Sequence, residues 1–386
     1  MPPHNIHGAG VGPYELSASF QKTLSLLPNG PRVERFESEG LFDYRLMRTD
    51  NDALLLGVGR RNLVTFISVL DPDIARTESG IGVGARVAEL IASLGAVRTP
   101  EHTVSDPRIV TFTSLPDTRF VVEKGTVVAA VVMGPAHAAE KTQMGNVRDP
   151  EEPGEAGEVE VAVPDEVVEE PPENDCISKG FRDRKAEILR LADFGLRSTA
   201  LLWTCLEDAS GEAVVRSGEW LKIIDSPGPG PDAPLRMLAK VRVPGLMFAA
   251  ALNTGGPNPE LYAVSSKVDS KARDIVVTRF KVGNARILPV WSRSAFKLKV
   301  SAASWLGAKL GETDFLVELR GRDRLVEVGG FFVQRSGGKL RNIVPVNTVE
   351  LVDGRPARKP LETPAADAGP EMMDAGAPKT APIPVP

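Results

Sequence analysis

A chain of 386 residues is long enough for two or three domains that each bury a hydrophobic core. Hydrophobic residues make up 42% of the sequence and charged residues 25%, with a formal net charge of -5, which is an ordinary globular composition. No apolar run approaches the roughly 18 to 20 residues that a membrane-spanning helix needs. We therefore predict no transmembrane segment.

Two glycine-rich segments of nearly the same sequence mark the first third of the chain. Residues 8–12 (GAGVG) and 80–84 (GIGVG) are each followed by apolar residues at helical spacing. Behind the second segment these are Val87, Leu90, Ile91 and Leu94, and Gly95 then ends the helix. Three short apolar segments follow in each copy, at 42–46, 54–58 and 63–69, and at 109–112, 120–122 and 127–132.

This order predicts a duplicated unit of one helix and an antiparallel meander, with copies at about 6–71 and 78–134. Residues 1–134 are thus expected to form an α+β module. The glycines also suit a phosphate-binding turn. However, both copies lack the sixth-position glycine of the dinucleotide fingerprint and the GK[ST] ending, which favours structural turns.

The chain changes character twice after this module. Residues 135–175 carry 13 acidic and two basic residues with many prolines, which predicts a disordered linker. Residues 353–386 are rich in proline and alanine and predict a disordered tail. Between them, residues 176–352 hold 27 basic and 18 acidic residues.

We expect residues 176–352 to form a mainly β domain, a sandwich or a barrel-like fold, with one helix at 180–194. The corner at 304–307 (SWLG) suggests a hydrophobic plug. In residues 296–300 (FKLKV) apolar and basic residues alternate, which predicts the apolar ones inward. The predicted strands are 200–206, 220–224, 238–243, 247–252, 275–282, 287–291, 296–300, 315–319, 331–334 and 343–346.

From residue 80 the chain has a short helix ending at Leu94 and Gly95, a strand bearing Phe112 and a valine-rich closing strand before Gly134. This pattern resembles the SmpA/BamE-like small domains of bacterial envelope proteins and lipoproteins. The resemblance covers about residues 6–134 and implies a non-catalytic binding or assembly module. The chain departs from that pattern because it lacks a lipidated N-terminal cysteine and carries a large β-rich region. Residues 176–352 resemble no family known to us.

The N-terminal residues leave the compartment open. Residues 1–7 lack the basic head and apolar middle of a secretory signal. We expect a cytoplasmic protein if Met1 is the true start, and a periplasmic or envelope protein if an upstream signal peptide was lost. Cys176 and Cys205 form a disulfide in the second case, or are two unpaired buried thiols.

Side chains that carry catalysis or bind metals are scarce. The four histidines are His4, His7, His102 and His137, and no GxSxG, HExxH or CxxC motif occurs. The sequence therefore indicates no cofactor, no metal site and no identified catalytic residue. Carboxylates spaced like acid/base pairs are the exception, at Asp71 and Asp73, Glu312 and Asp314, and Glu318 and Asp323.

Basic residues are concentrated between residues 267 and 299, where the only acidic residues are Asp269 and Asp274. This run predicts an anion-binding face, with Trp291 and Phe296 available for stacking. A solvated surface and a surface covered by the acidic linker are the alternatives. The candidate anion-binding residues are Arg279, Lys281, Arg293, Lys297 and Lys299.

The sequence thus favours a non-catalytic binding or scaffold protein associated with a bacterial envelope. We expect its partner to be another protein or an envelope component. One alternative is a hydrolase or transferase that uses carboxylates of the β-rich region. Another is a protein that binds an anionic polymer through that region, for which nucleic acid is the less favoured ligand.

Overall fold

The structure is a computed structural model that describes most of the chain outside the linker and tail. The predicted linker lies outside the described residues, and so does the predicted helix 180–194 apart from Arg184 and Ile188. Only Arg355 and Pro356 are described beyond residue 352. The described residues are 3–27, 31–49, 53–95, 97, 103–134, 184, 188, 198–207, 210–225, 234–255, 258–283, 286–322, 325–352 and 355–356.

A seven-stranded antiparallel sheet separates two hydrophobic cores. Several of its strands are apolar without interruption; all five residues of 54–58 (LLLGV), for example, are buried. Continuous apolar runs of this kind occur where both faces of a sheet are covered. In spatial order the strands are β10 (Ile109–Phe112), β11 (Leu115–Glu123), β12 (Thr126–Met133), β7 (Val64–Val69), β6 (Leu54–Val58), β5 (Phe42–Arg48) and β4 (Arg32–Ser38).

One face of this sheet is covered by a small sheet and two short helices. Helix α1 (Phe20–Leu26) begins at Ser19, whose hydroxyl accepts the Lys22 N–H, and α2 (Val87–Leu94) ends at Gly95 with a φ of 81°. The predicted apolar stripe holds for Leu90, which is fully buried, but Ile91 is 43% exposed. The small sheet has the order β3 (Tyr14–Glu15), β2 (Gly10–Val11), β1 (His4–His7) and β8 (Ala75–Arg76).

The other face packs on two sheets of the C-terminal half, which contain residues 246–299 and 313–352. A third sheet, within residues 198–242, packs on the 246–299 sheet through a separate core. One four-stranded sheet runs β13 (Ser198–Glu207), β14 (Ser210–Ser217), β15 (Trp220–Asp225) and β16 (Arg236–Arg242). Another runs β17 (Leu246–Leu252), β18 (Glu260–Val268), β19 (Ala272–Gly283) and β20 (Arg286–Lys299). The last runs β25 (Arg355–Pro356), β24 (Val349–Val352), β22 (Leu325–Ser336), β21 (Thr313–Arg322) and β9 (Thr103–Ser105), and β23 (Lys339–Pro345) also pairs with β22.

Helix α3 (Val300–Trp305) and the 3-10 helix Leu310–Glu312 connect β20 to β21. The two predicted strands 287–291 and 296–300 belong to the single strand β20. Its pairing with β19 continues along its length, with shifts of register at irregular positions. No strand was predicted at β14 or β18. No helix of the described residues is both long enough and apolar enough to cross a bilayer.

The predicted α+β class is wrong, because the structure is mostly β, with 63% of the described residues in strands and 10% in helices. The helices α1 and α2 have only seven and eight residues, so they shield a small part of the sheet they pack on. The first glycine segment contains the short strand β2, and Gly82 of the second segment forms an isolated bridge with Arg76. The described β-rich part, with its several packed sheets, fits the predicted sandwich.

The two segments predicted to be copies use the same backbone pairing before their helices. The Val64 N–H donates to the Ala18 carbonyl at 2.9 Å, and the Val127 N–H donates to the Ala85 carbonyl at 2.9 Å. In both copies, therefore, the residues that lead into the helix pair with the last strand of the meander. These last strands, β7 and β12, are neighbours and pair antiparallel, which joins the two meanders into one sheet.

The core shared by the seven-stranded sheet and the C-terminal sheets is rich in phenylalanine. Phe332 of β22 lies 5.2 Å from Phe42 of β5 and 5.7 Å from Phe315 of β21, measured between ring centroids. Phe36 stacks on Phe42 at 5.0 Å. Residues from both predicted domains therefore fill one core. The predicted domain boundaries themselves stay predictions.

A buried polar network crosses the same boundary. Arg48, at the end of β5, is 1% exposed, and its Nε donates to Glu34 Oε1 at 2.6 Å. Its Nη2 donates to the side chain of Asn342 in β23. Asn342 Nδ2 in turn donates to Gln334 Oε1 at 2.7 Å. This chain of hydrogen bonds links β4 and β5 to β22 and β23.

The glycine segments have a packing reason in the structure. A Cβ atom on Gly10 would lie 2.1 Å from the Tyr14 carbonyl oxygen, and one on Gly82 would lie 2.8 Å from the Ala75 carbonyl oxygen. Both distances are too short for any side chain. The absence of a Cβ therefore allows two backbone segments to approach closely.

We expect Gly10→Ala to lower the free energy of unfolding by about 1 to 3 kcal/mol, because the new methyl group displaces the β2–β3 turn. Gly8→Ala is the matched control, since a Cβ there meets no atom within 4 Å. Its effect should stay within about 0.5 kcal/mol. Urea unfolding followed by circular dichroism measures both, and equal midpoints for the two variants would contradict the packing explanation.

Candidate anion-binding surface

The five predicted anion-binding residues lie on two faces of the sheet that contains β19 and β20. Arg279 pairs in register with Trp291 and with Tyr262, whose side chain belongs to the phenylalanine-rich core. Lys297 and Lys299 alternate along β20 with the buried Phe296 and Leu298, so they point to the opposite face. The predicted set is therefore divided.

On the core-facing side, the charge of Arg279 is matched by a carboxylate. Its guanidinium donates to Glu260, which also accepts the Tyr262 hydroxyl at 2.6 Å and the Thr254 hydroxyl at 3.1 Å. Burial is the main cause that raises the pKa of Tyr262, and the hydrogen bond and charge of Glu260 add to it. Arg279 thus has a structural role, while Lys281 and Arg293 are exposed on this side.

The opposite face packs on the β13–β16 sheet through a separate core, and at one end of this face lysines lie close together. Lys267, Asp274 and Lys297 are direct neighbours on β18, β19 and β20. Two strand spacings separate Lys267 from Lys297, so their Cα atoms are about 10 Å apart. Lys299 follows on the same face, and the Lys271 carbonyl accepts the Val300 N–H at 2.8 Å. We call Lys267, Lys271, Lys297 and Lys299 the lysine patch; all four are exposed.

The two acids near the lysine patch are occupied by local hydrogen bonds. Asp269 Oδ1 accepts the N–H groups of Lys271 at 2.6 Å and Ala272 at 2.8 Å. These bonds are the main cause that lowers the pKa of Asp269, and the charges of Lys297 and Lys271 lower it further. Asp274 accepts the Ser294 hydroxyl at 2.5 Å. The lysine patch and these two acids together therefore carry four positive and two negative charges.

Exposed apolar side chains lie at the same end of the sheet. Val268 follows Lys267 and is 53% exposed, and in α3 Val300 is 39% and Trp305 58% exposed. The predicted plug at 304–307 is thus wrong for Trp305. The inward direction predicted for Val300 is also wrong, because the chain leaves the strand at Lys299 and begins α3. We call Val268, Val300 and Trp305 the apolar rim.

The apolar rim was not predicted from the sequence. Valine and tryptophan beside a strand pattern favour a core position, and their exposure depends on where β20 ends. One hint was available in the composition of residues 299–305, where the alternation of β20 gives way to two serines. On α3, Ala303 is buried, whereas Ser301 and Ser304 are exposed between Val300 and Trp305.

The carboxylates considered for catalysis take part in local contacts. Asp71 Oδ1 accepts the Asp73 N–H at 2.8 Å, and Glu312 Oε2 accepts the Lys309 N–H at 3.2 Å. Glu318 Oε1 lies 3.4 Å from Arg119 Nε. The partner predicted for Glu318, Asp323, lies outside the described residues.

Asp314 belongs to an arginine cluster that ties β10 to β21. Arg108 donates to Asp106 through Nε at 2.9 Å and Nη2 at 2.7 Å, and to Asp314 through Nη1 at 2.6 Å. Burial alone lowers the pKa of Arg108, but the hydrogen bonds and charges of Asp106 and Asp314 outweigh it and raise that pKa. The second arginine of the cluster is Arg273, whose Nη1 lies 3.7 Å from Asp314 Oδ1.

The predicted cysteine pair is not placed by the structure. Cys176 lies outside the described residues, and Cys205 lies in β13, where only the backbone is described. His7 Nε2 lies 3.5 Å from the Gly12 carbonyl oxygen. No group of three or more His, Cys, Asp or Glu side chains in the described part of the chain is placed to hold a metal ion.

Two open grooves lie elsewhere on the surface of the described residues. The larger, of about 730 Å³, lies between the Gly84 turn and the β22–β23 hairpin and is lined by Asp71, the Glu123–Arg335 ion pair and Arg341. The smaller, of about 450 Å³, is lined by His7, Glu78 and several serines. Both mix acidic and basic or neutral polar groups, so the lysine patch is the surface with the clearer charge preference.

Comparison of the chain with models of protein families, with curated proteins and with solved structures gave no match. The resemblance of residues 6–134 to SmpA/BamE-like domains therefore stays a prediction.

Proposed function

We propose that this chain is a non-catalytic binding protein that attaches to an anionic partner through the lysine patch. The observation that carries the proposal is the grouping of four exposed lysines at one end of the β17–β20 sheet, with Asp269 and Asp274 as the nearby acids. A scaffold associated with a bacterial envelope, the setting implied by the resemblance, is part of the same proposal.

The backbone of the lysine patch is held in place by strand pairing. Lys267 lies on β18 and Lys297 on β20, the two strands that pair with β19 on its two sides. Lys299 pairs with Ala272. Their ammonium groups are free to move at the ends of flexible stems, while their Cα positions are fixed. Lysine is a compact point charge without the fixed fork of arginine. The patch therefore suits a partner with many negative charges and no single required geometry.

The strength of such attachment follows from the number of lysines. Each basic side chain near an anionic surface contributes about 1 kcal/mol, and the contribution falls off within a Debye length. Four lysines less the two acids give a net attraction of a few kcal/mol at low salt. We therefore expect weak to moderate binding that depends strongly on ionic strength.

The double variant Lys297→Gln/Lys299→Gln tests the proposal. We expect it to elute from an immobilised polyanion, polyphosphate, at a clearly lower salt concentration than the wild-type chain, because half of the lysine patch is neutral. Lys22→Gln/Arg60→Gln removes the same net charge from exposed side chains elsewhere and is the matched control. The same elution for both double variants, or no retention of the wild-type chain, would sink the proposal.

A further inference from the structure

We infer that the anionic partner is the surface of a lipid bilayer, which the end of the β17–β20 sheet contacts end-on. This inference rests on the proposed function and names its partner. It draws on a second observation, the apolar rim, which electrostatic attraction to a soluble polyanion does not require. Val268, Val300 and Trp305 are each between 39% and 58% exposed.

The position of the apolar rim matches an end-on contact. Val268 is the last residue of β18, and α3 begins directly after the last residue of β20. The Val300 N–H donates to the Lys271 carbonyl in the β18–β19 turn, which fixes the start of α3 beside that turn. Lysines and apolar side chains are therefore presented at the same end of the β17–β20 sheet.

Helix α3 presents a continuous exposed side. Its four exposed residues are Val300, Ser301, Ser304 and Trp305. At 3.6 residues per turn these four occupy neighbouring directions that span about 140° around the helix axis. The buried Ala303 points to the other side. Val300 and Trp305 thus border a solvent-facing side with only small hydroxyl side chains between them.

The chemistry of the apolar rim favours lipid over nucleic acid. Single-stranded nucleic acids are held by aromatic side chains that stack on bases, and valines cannot supply such stacking. Two of the three rim residues are valines. Tryptophan is enriched at the headgroup level of membranes, and aliphatic side chains gain free energy on leaving water for the acyl boundary. All four charges of the patch come from lysine, which attracts anionic headgroups without a fixed pairing geometry.

Co-sedimentation with vesicles tests the inference on the full chain. We expect binding to vesicles of phosphatidylcholine with one-third phosphatidylglycerol and no binding to pure phosphatidylcholine. Lys297→Gln/Lys299→Gln should weaken binding about 30-fold at low salt, because each lysine contributes roughly a factor of five near an anionic surface. Lys22→Gln/Arg60→Gln should bind like the wild-type chain.

The role of the apolar rim is tested separately. We expect Trp305→Ala to weaken vesicle binding about tenfold or more, because half of a large apolar side chain no longer leaves water. Its elution from immobilised polyphosphate should be unchanged, since no charge is altered. Trp305 is already exposed, so the variant should fold normally, and circular dichroism verifies this.

Phospholipids brominated on the acyl chain give an independent readout. Part of the tryptophan fluorescence of the wild-type chain should be quenched by these vesicles, and Trp305→Phe should bind them without that quenching. Retention on polyphosphate without vesicle binding would overturn the lipid inference and leave the proposed function standing. Absence of both would overturn both, and vesicle binding that Trp305→Ala leaves unchanged would exclude the apolar rim from the contact.

Discussion

Replacing Arg48 by methionine should lower the free energy of unfolding by about 3 kcal/mol, since methionine fills the volume but leaves the hydrogen-bond partners of Arg48 unpaired. Glu34 loses a hydrogen bond of 2.6 Å, and the buried side chain of Asn342 loses its donor. The affected groups lie on β4 and β23, which are far apart in the sequence. Urea unfolding at neutral pH measures the loss.

Arg60→Met is the matched control for this variant. Arg60 is 84% exposed, and its Nε lies 3.4 Å from Asp43 Oδ2, which is the geometry of a surface ion pair. Such pairs contribute little, so the change should stay within about 0.5 kcal/mol. If Arg48→Met were no more destabilising than Arg60→Met, the buried network would not be a source of stability.

Phe332→Ala should have the largest effect in the phenylalanine-rich core, a loss of about 3 to 5 kcal/mol. The Phe332 ring is fully buried and lies against Phe36, Phe42 and Phe315. Truncation leaves a cavity between β5 and the β21–β22 pair. We therefore expect faster hydrogen exchange in peptides from both regions, 42–48 and 313–322, in the same variant.

Two comparisons show whether the cavity is the cause. Phe332→Leu leaves a smaller cavity and should cost less than half as much, because the loss increases with cavity volume. Leu288→Ala removes an apolar side chain that is 57% exposed and should be close to neutral. Faster exchange confined to residues 313–322 would show that the core does not couple the two regions.

Much of the strand content was predictable because local patterns determine it. The runs 54–58, 63–69 and 127–132 are apolar and β-branched, and the structure has strands there. The end of α2 at Gly95 was predictable as well, since a glycine readily adopts the φ of 81° found there. The predicted fold class was wrong because two short amphipathic helices were treated as a full layer of the fold, whereas both helices are short compared with the strands.

The candidate site was predictable only in part. Lys297 and Lys299 were grouped correctly on one strand face by their alternation with Phe296 and Leu298. The neighbours of these lysines across β19 were not predicted, because the register between β18 and β19 is a tertiary property. Arg279 was assigned to the same set, yet it faces Glu260 on the other side of the sheet. Sequence gives charge and spacing, and it does not say which acid meets which base.

By itself the sequence determined where strands form, where glycine turns allow the backbone to approach itself, and where positive charge accumulates. These properties depend on residues close together in the chain. The tertiary structure decided that Arg48 meets Asn342, that Phe36 meets Phe332, and that Trp305 stays in solvent beside four lysines. The first two contacts join residues 294 or more positions apart, and only the packing of whole sheets brings them together.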